Sequence, residues 1–136
     1  GGLDGLDLSP MLFQERVPKA LELRLTIVGR EVFAAAVDPR GADDWRSDPG
    51  LVAAFRPHRL PDELRARVLR LLDHLRLNFA TVDMIVTPDG RHIFLEVNTV
   101  SYFDFVERAT GLPIAAAVAD LLLGRAPPRI APAGPA

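Results

Sequence analysis

Between residues 21 and 28 the chain alternates strictly. Leu21, Leu23, Leu25 and Ile27 fall on one face of a strand, and Glu22, Arg24 and Thr26 on the other. Gly29-Arg30 then fits a tight two-residue hairpin turn, and "EVFAAAVD" returns as the partner strand. Before this hairpin, "MLFQERV" reads as a further strand; after it, "PRGADDWRSDPG" reads as a loop. From Pro61 to Leu77 the period changes: Leu64, Val68, Leu71, Leu72 and Leu75 recur at helical spacing, with Pro61 placed for a first turn. "NFATVDMIVT" and "RHIFLEVN" are two more strands, joined through Pro88-Asp89-Gly90. A short helix is expected from about Tyr102 to Arg108. A last one opens at Pro113, turns Ile114, Val118, Leu121 and Leu122 inward and ends at Gly124. Hairpin strands with interspersed helices predict an α+β fold built on an antiparallel sheet. Residues 1–10 read as a flexible lead-in, 11–124 as the folded unit and 125–136 as a disordered proline-rich tail.

The second hairpin raises a conflict. Glu96 and Asn98 lie two apart and so share a face. A three-residue Pro-Asp-Gly loop would set Asp83 opposite Leu95 and leave Glu96 among Val82, Met84 and Val86. A two- or four-residue loop shifts the parity. It gathers Val82, Met84, Val86, Ile93, Leu95 and Val97 on an apolar face and puts Asp83 with Glu96 and Asn98. Burying an unpaired polar group costs roughly 2–7 kcal/mol, whereas a backbone preference at a turn is worth about 1 kcal/mol. Face chemistry should win, so Asp83, Glu96 and Asn98 are expected together. Two carboxylates and an amide oxygen, without histidine or thiol, suit Mg²⁺ or Mn²⁺. A solvated strand edge is the commoner meaning of such a triplet.

Composition narrows the options. The 136 residues are 49% apolar and 25% charged with net charge −2, an ordinary globular balance that offers no electrostatic case for nucleic acid or an anionic membrane. No cysteine is present, which removes disulfides and thiol chemistry. No apolar run reaches membrane-spanning length and no signal segment opens the chain, so a cytoplasmic location is expected. His58, His74 and His92 share no spacing with one another or with a nucleophilic serine, and no chemistry is assigned to them.

The order "FQERV … LELRLTIVG … DWR … VDMIVTPDGRHIFLEVN … ERATGLPI" resembles the C-terminal subdomain of an ATP-grasp ligase. More narrowly it is similar to the microviridin (graspetide) maturases of ribosomal peptides, with RimK-like glutamate ligases as cousins. The resemblance covers roughly Leu12 to Leu123. It implies that Asp83, Glu96 and Asn98 hold Mg²⁺ against the phosphates of ATP. It implies that Gln14, Glu15, Arg16 and Val17 meet adenine as a hinge, with Glu22 near the ribose and Lys19 adding positive charge. Arg46, and less directly Arg24, are implied at the transferred phosphate. The implied reaction activates a carboxylate as an acyl-phosphate and joins it to an amine or hydroxyl. In the maturases this closes macrolactams or macrolactones in a precursor peptide. Nothing before Leu12 supplies the phosphate-binding lysine and glycine-rich loop of the earlier subdomain, so the chain is expected to be a fragment that partners the N-terminal part of its own enzyme and is inactive alone. A homodimer is compatible with the resemblance. Where the maturases usually continue with a Pro-x-Gly-Gln type loop, this chain has "TVSYFDF".

Blander readings stand beside these. Gln14 and Glu15 would face solvent on an ordinary strand, Glu22 and Arg24 could form a structural ion pair, and Arg46 could be a surface salt bridge. Trp45 is expected to anchor its loop. Tyr102, Phe103 and Phe105 are expected in a helix core or along a substrate groove. Arg65, Arg67, Arg70 and Arg76 are expected to be solvated, with peptide docking the rarer use. A peptide- or partner-binding module without chemistry is the alternative function.

Overall fold

The computed structural model describes residue 10, residues 13–42 and residues 44–130. Strands β1 (Leu21–Val28) and β2 (Glu31–Val37) form the first hairpin, and β4 (Phe79–Val86) and β5 (His92–Asn98) the second. A two-residue strand, β3 (Arg56–Pro57), pairs with β2, and the antiparallel sheet runs β3-β2-β1-β4-β5. Helix α2 (Asp62–His74) covers one face. The short α1 (Pro49–Val52), α3 (Asp104–Thr110) and α4 (Ile114–Leu122) pack on the other. Among the described residues no helix is long and apolar enough to cross a membrane.

The alternation in β1 explains the layering. Leu23, Leu25 and Ile27 join Val82 and Met84 of β4 and Val68 and Leu72 of α2 in one dry cluster. At ~25 cal/mol per Å² of apolar area, each such side chain contributes roughly 1.5–3 kcal/mol. The opposite face of β1 changes character along its length. Val28 belongs to a second cluster with Phe55, Val106 and Ile114, whereas Glu22 and Arg24 lie where the helices no longer reach.

Several expectations fail for local reasons. Phe13 to Lys19 runs without regular structure and joins no strand; Met11 and Leu12 of that segment lie outside the described residues. The loop after β2 contains a 3-10 turn at Trp45–Ser47 and helix α1, each opened by an aspartate that accepts a backbone N–H: Asp44 from Arg46 and Asp48 from Gly50. Tyr102 is 82% exposed and Leu122 80%, so neither belongs to a core; Phe103 and Phe105 do pack.

Residues 125–130 are not a disordered tail. The Arg129 guanidinium is buried and donates to the Gly29 carbonyl at 2.6 Å, the Leu69 carbonyl at 2.7 Å and Asp73 at 3.0 Å. Ile130 exchanges two hydrogen bonds with the Asn78 amide. Gly29 has φ +55, and a Cβ there would stand 3.3 Å from the Pro127 carbonyl, so a side chain at this turn would be strained and would press on the returning segment. The remainder of the expected tail, and the lead-in apart from Pro10, lie outside the described residues.

Candidate active site

The Pro88-Asp89-Gly90 turn and the demands of the sheet face are both satisfied. Near the turn the pairing is Val86 with His92 and Met84 with Phe94, the parity of the three-residue loop, with Gly90 at φ +83 and Thr87 N–H bonded to the Arg91 carbonyl at 2.9 Å. A β-bulge between Asp83 and Met84 then takes up Leu95 as the extra residue. Beyond it the register has slipped by one, so Asp83 faces Glu96 and Thr81 faces Asn98. The expected grouping of Asp83, Glu96 and Asn98 is present, by way of a bulge rather than a shorter or longer loop. The bulge also corrects the placing of Leu95. It leaves the apolar core face and lines a cleft beside Ile85, while Val97 packs with the core.

Asp83 is the hub of a charge network. Arg24, directly across the ladder on β1, puts Nη1 2.8 Å from both carboxylate oxygens. Nη2 of Arg24 donates to the Ser101 hydroxyl and lies 3.5 Å from the Tyr102 carbonyl, while Nε is buried without a partner. Thr81 donates to the same Ser101 oxygen at 2.9 Å. Arg46 reaches Asp83 Oδ2 at 3.0 Å and stands 4.0 Å from Glu96. Asn98 donates to Glu96 Oε1 at 3.0 Å and lies 3.5 Å from Asp83 Oδ2. The two arginines differ in freedom. The Arg24 side chain is 8% exposed and the Arg46 side chain 46%.

Arg46 is aimed by its neighbours. Trp45 is buried edge-on against Phe55 at 5.1 Å and close to Phe105, and the Arg46 guanidinium lies 4.5 Å above the indole. Burial works against its charge, but Asp44 and Asp83 outweigh burial and raise its pKa. In Asp44, burial is likewise outweighed by the Arg46 backbone N–H and guanidinium, which lower the carboxyl. The Glu96 carboxyl is also lowered, first by the Asn98 amide and then by Asp83, with Arg46 and Arg24 assisting.

A cleft of about 360 Å³ adjoins this network. Gln14, Glu15, Arg16, Val17 and Lys19 line one wall, Glu22 and Arg46 reach in, and Ile85 and Leu95 give it an apolar floor. The whole nucleotide set expected from the sequence therefore surrounds one cleft, although its hinge is not a strand. Glu22 is paired with Lys19 at 2.8 Å rather than with Arg24. Sequence reasoning missed Asp44, Thr81, Ser101, Ile85 and Leu95. Asp44, immediately before Trp-Arg, carried the only readable signal, that of a capping aspartate.

Among the described residues no three His, Asp or Glu side chains are placed to hold a metal. The triplet has two carboxylates, and its third member is an amide. Its donors fit one hard divalent cation once Arg46 releases Asp83 Oδ2 and the Asn98 amide turns its oxygen inward.

Comparison with known proteins places the fold in a family. The model of the RimK-like ATP-grasp domain matches residues 3–122. A probable alpha-L-glutamate ligase of Vibrio atlanticus is 26% identical over 120 residues, covering 87% of this chain and 40% of that protein. A Chryseobacterium gregarium RiPP-associated ATP-grasp ligase, solved with ADP and a leader and core peptide, superposes with a TM-score of 0.88 at 36% identity, over 95% of this chain and 40% of that one. The macrocyclase MdnC of Microcystis aeruginosa, solved with its precursor peptide MdnA, gives a TM-score of 0.74 at 40% identity, over 91% of this chain and 36% of that one. The chain thus spans about two fifths of the length of the relatives it matches.

Proposed function

Since this chain belongs to the RimK-like ATP-grasp family, we propose that it is the nucleotide- and metal-holding part of a ligase that activates carboxylates of a ribosomal precursor peptide with ATP. The observation that carries the proposal is the meeting of two unlike surfaces at Arg46, which lines the cleft and also holds Asp83.

The nucleobase would lie on Ile85 and Leu95 against the 14–17 segment, with Glu22 toward the ribose. Asp83, Glu96 and Asn98 are the residues that would hold Mg²⁺, which when bound would draw charge from the phosphates. In the absence of the ion, two guanidiniums balance the two carboxylates. Arg46, half-exposed at the edge of the cleft, is the guanidinium placed to meet the charge that develops on the transferring phosphoryl group. A substrate carboxylate oxygen attacks the γ-phosphorus and the bond to ADP breaks, leaving an acyl-phosphate. An amine or hydroxyl then attacks the acyl carbon, loses its proton and expels phosphate, closing an amide or ester. Arg24, buried against Asp83, keeps that carboxylate oriented. Enclosed at 8% exposure and bonded to Asp83, it acts through that carboxylate, so the role proposed for it is positioning.

The test uses the protein as the cell makes it. Phosphate release from ATP should depend on an added peptide bearing Asp or Glu, and the peptide should lose one water in mass. Peptide binding with no nucleotide effect would instead identify a binding module that keeps the fold without the chemistry.

A further inference from the structure

Asp83 can offer a metal only the lone pairs that its arginines leave. A carboxylate has about four lone-pair sites. Arg24 Nη1 stands at 2.8 Å from both oxygens, and Arg46 adds a contact to Oδ2. Arg46 is half-exposed and can pivot on the Trp45 ring. Arg24 is enclosed, and it cannot withdraw without leaving two opposite charges buried apart. What fixes its rotation is the loop after β5. Its hydrogen bonds run through the two Nη atoms, and Nη2 is held by the Ser101 hydroxyl, with the Tyr102 carbonyl more distant. Ser101 is steadied in turn by Thr81, and the loop is pinned by Phe103 against Phe79 at 6.0 Å.

We propose that Ser101 is a positioning residue for metal choice: through Arg24 it restricts Asp83 to a single oxygen contact and so favours Mg²⁺ over Ca²⁺. This rests on Asp83, Glu96 and Asn98 being the metal ligands. Mg²⁺ takes a tight octahedron that a one-oxygen carboxylate suits, whereas the larger Ca²⁺ takes more ligands and profits from a two-oxygen carboxylate. Without the Ser101 hydroxyl, Arg24 can rotate off one oxygen and Asp83 can chelate with both.

The experiment loads the native-length protein with ADP and Mn²⁺, and follows free Mn²⁺ by its EPR signal as Mg²⁺ or Ca²⁺ is added. Ser101→Ala should shift the ratio of the two displacement midpoints toward Ca²⁺ by about tenfold, the low end of what lost outer-sphere partners cost. Ser101→Thr, which keeps the hydroxyl, should restore the wild-type ratio. Thr81→Val should move it the same way by less, and it decides the matter if Ser101→Ala does not fold. An unchanged ratio in a folded variant that still binds Mn²⁺ overturns the inference while leaving the metal site standing. Failure of the wild-type protein to bind Mn²⁺ with ADP overturns the metal site and the inference with it.

Discussion

The two faces of the sheet are both shut off from water over β1 and β4, and they are closed by opposite means. Toward α2, Leu23, Leu25, Ile27, Val82 and Met84 exclude water because they have nothing to offer it. Toward the cleft, Arg24 and Asp83 are as thoroughly buried, at 6% and 6%, yet each is a full charge. The apolar face tolerates approximate packing. The charged face tolerates nothing less than a complete set of partners, because a charge left alone there costs several kcal/mol. That intolerance bears on the proposed function: under that reading, one of the arginines matching these charges would give way to a metal ion.

The sharpest way to break this comparison is to remove one charge. Arg24→Ala should cost on the order of 3–5 kcal/mol in denaturant unfolding, since Asp83 is left buried and unpaired. The double variant Arg24→Met with Asp83→Leu should recover much of that loss and bind no metal–nucleotide, which separates stability from function on the same face. A truncation on the apolar face, Leu25→Ala, should cost about 2–5 kcal/mol by leaving a cavity, with no special rescue by a second change. Outside both faces, Arg129→Ala should cost roughly 1–3 kcal/mol, because the Gly29 and Leu69 carbonyls lose their donor.

The smallest effect is a pH dependence. The Glu96 carboxyl is lowered in the folded protein, so its contribution is present above its ordinary value of 4.5 and is lost as pH falls through the lower folded value. Its side chain is 55% exposed, which screens the effect. The difference in melting temperature between wild type and Glu96→Gln should therefore be slight near neutrality and should shrink below pH 4.5.

The same contrast explains what could be read before any coordinates. Periodicity marks surfaces defined by what they exclude, so β1, β2, α2 and the second hairpin were all legible, as was the common side of Asp83, Glu96 and Asn98. The bulge at Leu95 was not. Turn chemistry and face chemistry each named a register, and only an inserted residue reconciles them; no local signal marks which residue is inserted. The order at Arg129 was hidden for a related reason. A proline-rich composition suggests no core, and one arginine caps carbonyls 60 and 100 residues away in sequence. Ser101 escaped notice because a serine in a loop has no pattern until Arg24 is seen to need a partner.

The most direct test of the central claim is calorimetric titration of the native-length protein with ATP, with and without Mg²⁺, for wild type and Asp83→Asn. Saturable binding that requires Mg²⁺ and is lost in the variant, with the variant still folded, is the predicted result. Equal binding by both proteins, or wild-type binding indifferent to Mg²⁺, would contradict it.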